Sequence, residues 1–344
     1  MISERYSNID QLRFIAALSV ALTHLIIFNK GYSLNLEIIS SISVEVFFII
    51  SGFVLAPQIL NILENNKLYN YKIFLIRRWY RTIPLYVLSL LLTSLVLNEI
   101  LTFDFLKYLL FFQNFHKIFV ENDYFSISWS LSVEEWFYII FPLFLLIVSS
   151  FIKIKKKNIL FASIFFILII FFIRFFFAES DDWGSGVRRV VLYRLDAIVF
   201  GFILFFFKDK VKPILFYKIS LLLIFFLLSI TIFKILEINA LKNLNFYKIS
   251  FHFIVAMWGS SMVLLFYLLD KNIKNKKIVF LNIFLGKISY SIYLFHLLII
   301  YIISPLSVSL ILTIVIFFIL QILISTLLYY YFEEPILRAR PEYK

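Results

Sequence analysis

Apolar runs about as long as a bilayer is thick recur along the whole chain. Runs of ~20 predominantly apolar residues are typical of membrane-spanning helices. The pattern predicts about ten such spans, at residues 9–28, 38–60, 82–101, 129–151, 158–178, 189–207, 213–234, 251–270, 281–303 and 308–331. Phe103 to Phe115 is also apolar, but it is too short to span and is expected to be interfacial or re-entrant. We therefore predict an all-α polytopic membrane protein in which residues 1–344 form a single membrane domain.

Composition agrees with a membrane protein and excludes several kinds of site. Hydrophobic residues make up 62% of the chain and charged residues only 16%, whereas soluble domains rarely exceed half apolar. The chain has no cysteine, which excludes disulfides, thiolate nucleophiles and cysteine metal sites, and we expect no metal. The first apolar run contains Arg13 and His24 and lacks a charged leader and a cleavage site, so it is not expected to be a removable signal peptide.

The positive charge follows the connections between spans. The net charge is +12, and basic residues concentrate in every second connection, at 67–81, 153–157, 208–212, 271–277 and 338–344. This alternation is what the positive-inside rule predicts for an even number of spans with both termini in the cytoplasm. Nucleic-acid binding requires a contiguous basic face, so no nucleic-acid partner is expected.

Ionisable side chains inside the apolar spans are candidates for chemistry. Such groups are costly in a membrane and usually face a bundle interior or a watery cavity. With the predicted topology they all fall toward the outer side. We therefore expect them to converge at one depth: His24, Glu45, Glu134, Glu135, Arg194, Asp196 and His296.

Arginines form a second cluster at the predicted inner side. In RRWYRTIP, Arg77 and Arg78 lie four and three residues before Arg81, and Arg13 lies near the start of the first span. Guanidinium groups arranged in this way can grip phosphates bidentately. Eleven residues separate Arg13 from His24, which corresponds to about 16 Å of helix rise. A molecule with a phosphate-rich head and a long reactive arm, such as coenzyme A, has the shape to bridge that distance.

Each of these features also has a structural explanation. RRWYRTIP has the composition of an interfacial anchor, with arginines at the headgroups, aromatic rings at the boundary and a proline opening the helix. Ser132 and Glu135 fit a helix capping box, which leaves Glu134 without that explanation. His252 is interpreted as structural or interfacial and His116 as solvated.

Seven segments in order carry a resemblance to a known family. They are LRFIAALSVALTHL (12–25), VEVFFIISGFVL (44–55), RRWYRTIPLY (77–86), WSLSVEEWFYIIFPL (129–143), YRLDAIVFG (193–201), GKISYSIYLFH (286–296) and YFEEP (331–335). Together they resemble the membrane acyltransferase 3 superfamily, which includes O-acetyltransferases of O-antigen and other surface polysaccharides. One departure is Glu45, where the family more often has an aspartate.

The resemblance implies an activity and a setting. Such proteins move an acyl group, usually acetyl, from cytoplasmic acetyl-CoA to a hydroxyl of a glycan at the outer face of the bacterial cytoplasmic membrane. His24 matches the essential histidine of the family, and Arg13, Arg77, Arg78 and Arg81 match positions tied to the donor. Some relatives carry an appended hydrolase-like domain, but none is expected here, and the membrane part is expected to carry the chemistry alone. The expected partners are a glycan acceptor and membrane lipid.

The mechanism predicted at this point centres on His24. A histidine of near-neutral pKa suits general-base activation of a sugar hydroxyl, and a carboxylate that orients the imidazole would complete a triad-like arrangement. Glu134 is the first choice for that carboxylate, Glu135 the second and Glu45 the third. Glu45, Arg194 and His296 are predicted to contact the acceptor substrate.

Several alternatives remain open from the sequence. His24 could itself carry the acyl group, or the donor could be a succinyl rather than an acetyl thioester. A proton-coupled transporter or flippase of glycan intermediates and a non-catalytic scaffold also compete, although no internal repeat supports a transporter.

Overall fold

The structure is a computed structural model. It describes residues 5–64, 67–153, 155–178, 182–210, 215–237, 241, 245–270, 273, 275–306 and 308–342. These residues form helices joined by turns and contain no β-strand, which confirms the all-α prediction. Parts of the predicted basic connections, including Lys212, Lys271, Lys274 and Lys344, lie outside the described residues.

Twelve α-helices are described along these ranges. They are α1 (Ser7–Lys30), α2 (Leu34–Leu63), α3 (Lys67–Val96), α4 (Phe103–Leu109), α5 (Trp129–Phe151), α6 (Lys156–Phe177), α7 (Leu195–Phe207), α8 (Leu215–Glu237), α9 (Asn245–Asp270), α10 (Lys276–Ile303), α11 (Leu310–Leu328) and α12 (Glu334–Arg338). We call the end of the bundle at which α1 begins the inner end, and the end at which α1 finishes the outer end.

Nine helices of the described chain are long and apolar enough to cross a membrane, one fewer than the number predicted. The exception is α7, which has 13 residues and a length of about 20 Å, against ~30 Å for the hydrocarbon core. The predicted span began at residue 189, but the backbone N–H groups of Val191 and Leu192 donate to the carbonyls of Asn114 and Phe115. Residues 182–194 therefore pack with the 111–128 segment as a cap over the outer end, and the helix starts only at Leu195.

Helix α3 begins earlier than the predicted third span. It starts at Lys67 rather than at residue 82, so Arg77, Arg78 and Arg81 lie within the helix and not in a connection before it. The first half of α3 is rich in lysine, leucine, tyrosine and arginine and has no glycine or proline, a composition that permits helix. The arginines are accommodated at this depth because they face a cavity rather than lipid.

Close helix packing at the centre positions the site. Helix α1 packs against α10 and α2, and α2 packs in turn against α7. Gly52 of α2 and Gly201 of α7 lie at the α2–α7 crossing, where a Cβ on either would run into backbone carbonyls of the facing helix. Small residues that allow this backbone approach are typical of helix contacts in membranes.

Candidate functional site

A large cavity opens at the inner end of the bundle and reaches toward its centre. Its volume is about 730 Å³, within the range of small-molecule and cofactor sites. The lining includes only three acidic side chains, from Asp10, Glu134 and Glu334. The basic side chains of the lining come from Arg5, Arg13, Arg77, Arg78, Arg81, Lys287, Arg338 and Arg340. The cavity is therefore strongly electropositive and suited to an anionic ligand.

The four arginines predicted to bind the donor all line this cavity. Arg78 Nη2 donates to Gln58 Oε1 at 3.1 Å, and Arg77 donates to the carbonyl of Pro341. Arg81 Nη1 lies 2.9 Å from Glu333 Oε2, and its guanidinium also stacks over the ring of Tyr290. These contacts draw α3 against α2, α10 and the C-terminal segment, and they hold the guanidinium groups at the cavity wall.

The two adjacent glutamates of α5 point in different directions. Glu134 lines the cavity and accepts a hydrogen bond from the Tyr138 hydroxyl at 2.9 Å. Glu135 is buried at 4% exposure and accepts from the Thr82 hydroxyl at 2.5 Å, which ties α5 to α3. Neighbouring helix positions are about 100° apart around the axis, so only one of the pair can face the cavity.

The deep end of the cavity lies against Tyr293 of α10. The Tyr293 hydroxyl lies 2.6 Å from Ser130 Oγ and 3.0 Å from the carbonyl oxygen of Ile127, and both Tyr293 and Ser130 line the cavity. Tyr293 also adjoins His296, with 6.0 Å between ring centroids. The cavity thus ends next to an imidazole, one helical turn below it.

His24 and His296 form a direct pair above that point. Nδ1 of His24 lies 2.8 Å from Nε2 of His296, and the two ring planes are inclined by 18° with centroids 5.0 Å apart. His24 Nε2 faces the hydroxyl of Ser40 at 3.4 Å, and His296 Nδ1 faces the carbonyl oxygen of Tyr293 at 2.6 Å. His296 is fully buried, whereas His24 is partly exposed. A partly accessible imidazole backed by a buried one can exchange a proton with a hydroxyl or a thiol.

This geometry corrects the expected partner of His24. Within the described residues, the hydrogen-bond partners of His24 are His296 and Ser40, and neither glutamate of α5 contacts it. Glu134 falls short because its helix turn faces the cavity below Tyr293, not the imidazole pair above it.

Glu45 and Arg194 form a separate buried group, so the ionisable residues predicted to converge do not all meet at one site. Arg194 donates to Glu45 and contacts Nδ1 of His252, and none of these three residues lines the cavity. Arg174 and Asp196 form an adjoining ion pair, with 2.9 Å between Arg174 Nη2 and Asp196 Oδ2. A fully buried charge requires such a partner, so these charges satisfy one another where α2, α6, α7 and α9 meet.

Charged and aromatic residues also hold the outer cap in place. Arg188 Nη2 lies 2.5 Å from Glu37 Oε1, and the guanidinium is packed between the rings of Trp129 and Trp183. Burial and the nearby positive charge of Arg189 lower the pKa of Arg188 against the pull of Glu37. Arg189 pairs with Asp123 at 2.6 Å and so links the two segments of the cap.

Several residues of the site were missed from the sequence. Tyr293 lies in the quoted segment GKISYSIYLFH, three residues before His296 on the same helix face, and this spacing was the signal available. Arg5 and Arg340 look like ordinary surface charges in the sequence, and Lys287 was overlooked although it lies within the predicted span 281–303. The fold turns all three toward the cavity.

Comparisons with known proteins identify the family of this chain. The model of the Acyl_transf_3 family, described as an acyltransferase domain, matches residues 6–330. A protein of Staphylococcus aureus (strain COL) named "Putative O-acetyltransferase" is 29% identical over 318 residues, which cover 84% of this chain and 50% of that protein. The peptidoglycan O-acetyltransferase OatA of Listeria monocytogenes is 30% identical over 166 residues, covering 43% of this chain and 25% of OatA.

The chain spans about half the length of the Staphylococcus relatives it matches. An uncharacterized protein of Haemophilus influenzae is 31% identical over 134 residues, 34% of this chain and 53% of that protein. No solved structure gives a significant match. Because the family model covers nearly all of the membrane bundle, the chain belongs to the acyltransferase 3 family of integral membrane proteins.

Proposed function

We propose that this protein is a membrane O-acetyltransferase that moves an acetyl group from cytoplasmic acetyl-CoA to a hydroxyl of a cell-surface or lipid-linked glycan. The observation that carries the proposal is the cavity itself, which joins a cluster of arginines at the inner end to Tyr293, beside the His24–His296 pair. O-antigen, capsule, exopolysaccharide and peptidoglycan are the classes of acceptor considered, and a bacterial cytoplasmic membrane is the proposed location.

The donor end has the chemistry that a phosphate-bearing thioester requires. Arg13, Arg77, Arg78 and Arg81 present guanidinium groups to the cavity, and guanidinium forks match phosphate oxygens. Toward its deep end the lining becomes apolar and aromatic, with Val44, Phe47 and Phe48, which suits an uncharged arm. These residues would hold acetyl-CoA with its phosphates at the inner mouth and its thioester near Tyr293.

His24 would move one proton during the reaction. As the glycan oxygen bonds to the acetyl carbon, the hydroxyl proton passes to the imidazole of His24. As the carbon–sulfur bond breaks, the same proton passes to the departing thiolate. Proton transfer by a positioned imidazole contributes typically ~10²–10⁴-fold to rate. No net proton is released or consumed, so the buried site needs no exchange with bulk water.

An acyl-histidine route uses the same atoms in two steps. His24 would first take the acetyl group on its imidazole nitrogen with departure of the thiol, and the glycan hydroxyl would then displace the imidazole. Both routes require His24 and the cavity, so the same variants test them together.

The first experiment is transfer of radiolabelled acetyl from acetyl-CoA into glycan by membranes that contain the protein. We expect wild-type membranes to label glycan and His24→Ala membranes to lose that labelling, with equal amounts of protein in the membrane. His116→Ala is the matched control, because His116 lies in the outer 111–128 segment and packs on Phe119 away from the cavity.

Two outcomes would contradict the proposal. Label that stays in the thioester pool with wild-type membranes indicates a transporter, a scaffold or a different acyl donor, and succinyl-CoA supplied in place of acetyl-CoA identifies the last of these. Undiminished labelling with His24→Ala removes both the general-base and the acyl-histidine roles of His24.

A further inference from the structure

We infer that His296 is a positioning residue that sets the tautomer of His24, so that Nε2 of His24, beside Ser40, is the reactive nitrogen. The inference rests on the proposed function for its activity test, but its structural content stands on hydrogen-bond geometry alone. It replaces the expectation that a carboxylate orients His24 and that His296 contacts the substrate.

The position of each proton follows from the hydrogen bonds that link the Tyr293 carbonyl, His296 and His24. The carbonyl oxygen of Tyr293 can only accept, so Nδ1 of His296, at 2.6 Å, carries a proton. In a neutral imidazole the other nitrogen is then an acceptor, so His296 Nε2 presents a lone pair. His24 Nδ1, at 2.8 Å from that nitrogen, must therefore be the donor. The remaining nitrogen of His24, Nε2, is left with a free lone pair.

Burial explains why His296 is neutral in this chain. Its side chain is 0% exposed, and within the described residues its polar contacts are His24 and the backbone of Tyr293 and Ile292, with no carboxylate. A buried charge without an opposite partner is expensive. A neutral imidazole held by a carbonyl can do for His24 what the carboxylate does in a Ser-His-Asp triad, namely fix the ring and its tautomer.

The geometry also selects the side from which the acceptor hydroxyl approaches. His24 Nε2 faces the Ser40 hydroxyl on α2 at 3.4 Å, a long contact that a substrate hydroxyl can replace. Ser40 thus occupies the position of the hydroxyl to be activated, and it is not required to take the acetyl group itself. Ser40→Ala is accordingly expected to retain transfer.

The activity test compares two replacements of His296 in membranes with equal amounts of folded protein. Glutamine keeps an acceptor oxygen for His24 Nδ1 but does not take up a proton as an imidazole does. Leucine keeps a side chain of similar size and removes the acceptor. We expect kcat to fall by roughly 10²–10⁴-fold in His296→Leu. The kcat of His296→Gln should be at least about tenfold higher than that of His296→Leu. KM for acetyl-CoA should not change in either variant, because His296 does not line the cavity.

A second measurement needs no activity at all. The chain has only four histidines, so uniform ¹⁵N-histidine labelling gives few imidazole signals in lipid bilayers. We expect solid-state NMR to show His24 protonated at Nδ1 and not at Nε2, and His296→Leu to remove that preference.

The inference is overturned if His296→Leu retains the wild-type kcat, if His296→Gln is as inactive as His296→Leu, or if His24 carries its proton on Nε2. It is also overturned if Ser40→Ala abolishes transfer, since Ser40 would then be a participant. Failure of the proposed function looks different, because wild-type membranes would then transfer no acetyl group while the NMR tautomer stays as inferred.

Discussion

The interior of this bundle has an arginine-lined cavity toward its inner end and the His24–His296 pair toward its outer end. Tyr293 lies between them, because its ring lines the cavity while its backbone carbonyl holds His296. A thioester that enters from the arginine side would meet the tyrosine before it meets the imidazoles. The position of Tyr293 therefore limits how deeply a donor in the cavity would extend toward the two imidazoles.

Arg78 is the residue whose loss should most directly weaken donor binding. It lines the cavity from α3, and Gln58 holds its guanidinium at 3.1 Å at the cavity wall. A hydrogen bond to a charged group contributes about 1.5–3 kcal/mol, so Arg78→Ala should raise KM for acetyl-CoA by roughly 10–100-fold with a smaller effect on kcat. Initial-rate measurements in membranes over a range of acetyl-CoA concentrations check this.

Two further variants sharpen the Arg78 test. Arg78→Lys keeps the charge but loses the fork and should fall between Arg78→Ala and the wild type. Arg189→Ala removes an arginine of the outer cap that does not line the cavity, and it should leave KM for acetyl-CoA unchanged. An unaltered KM in Arg78→Ala would mean that the RRWYR arginines serve only as interfacial anchors.

At the scale of elements, the short helix α7 serves as a wedge against α2. It is buried on most of its surface and supplies Asp196 to one internal ion pair, and Arg194, the residue just before it, forms another with Glu45. Its glycine, Gly201, allows its backbone to lie directly on that of α2. Because α2 also carries Ser40 and the cavity residues Phe47 and Phe48, the α2–α7 contact sets the position of one wall of the site.

Gly201→Ala should therefore destabilise the bundle. The added methyl group would run into the carbonyl of Ile49, which is backbone and cannot swing aside. Overpacking of this kind costs about 1–3 kcal/mol, so the thermal unfolding midpoint in detergent should fall by several degrees. Gly259→Ala is the matched control, because its methyl group meets the mobile end of the Ile49 side chain and should cost less. Equal midpoints for Gly201→Ala and the wild type would refute a tight α2–α7 crossing.

At the scale of the whole molecule, the cavity opens at the inner end and reaches toward an imidazole pair nearer the outer end. The predicted topology puts the arginine end in the cytoplasm, where acetyl-CoA is available, and puts the outer cap beyond the membrane. The 111–128 and 182–194 segments cover that end and are joined by Asn114 and by the Arg189–Asp123 pair. The sidedness of the protein is therefore essential to its proposed function.

Single-cysteine labelling tests that sidedness directly, since the chain has no cysteine of its own. Glu121 lies exposed in the outer cap and Glu342 lies exposed near the inner end. We expect a membrane-impermeant thiol reagent to label Glu121→Cys in intact cells and to label Glu342→Cys only after the membrane is opened. The reverse pattern would place the arginine cavity outside and would be incompatible with a cytoplasmic donor.

Helices whose apolar runs had clear ends were predictable from the sequence. The α5 limits match the predicted 129–151 range, and α1 and α2 differ from theirs by a few residues. The start of α3 was missed because the apolar run begins only after the arginines, whereas the helix continues through them. The α7 span was overestimated because the backbone N–H groups of Val191 and Leu192 donate to the 111–128 segment rather than continue the helix.

The sequence predicted the arginine cluster of the candidate site but not the contacts of His24. The four arginines were grouped correctly, because Arg77, Arg78 and Arg81 share one helix and Arg13 lies at the same predicted level. The hydrogen-bond partner of His24 was not predicted correctly. Several ionisable residues had similar predicted depths in the membrane, and depth does not specify which way a side chain points from its helix. Helix rotation turned Glu134 to the cavity, Glu45 to Arg194 and His296 to His24.

The sequence by itself determined that this is an all-α, multi-pass membrane protein with a basic cluster and two intramembrane histidines, because hydropathy and charge act locally along the chain. Only the tertiary structure decided which polar groups touch. An imidazole, a carboxylate or a guanidinium in an apolar interior is satisfied by whatever partner the packing brings to its face of the helix. That choice depends on how α1, α2, α7 and α10 rotate and cross, and no run of neighbouring residues encodes it.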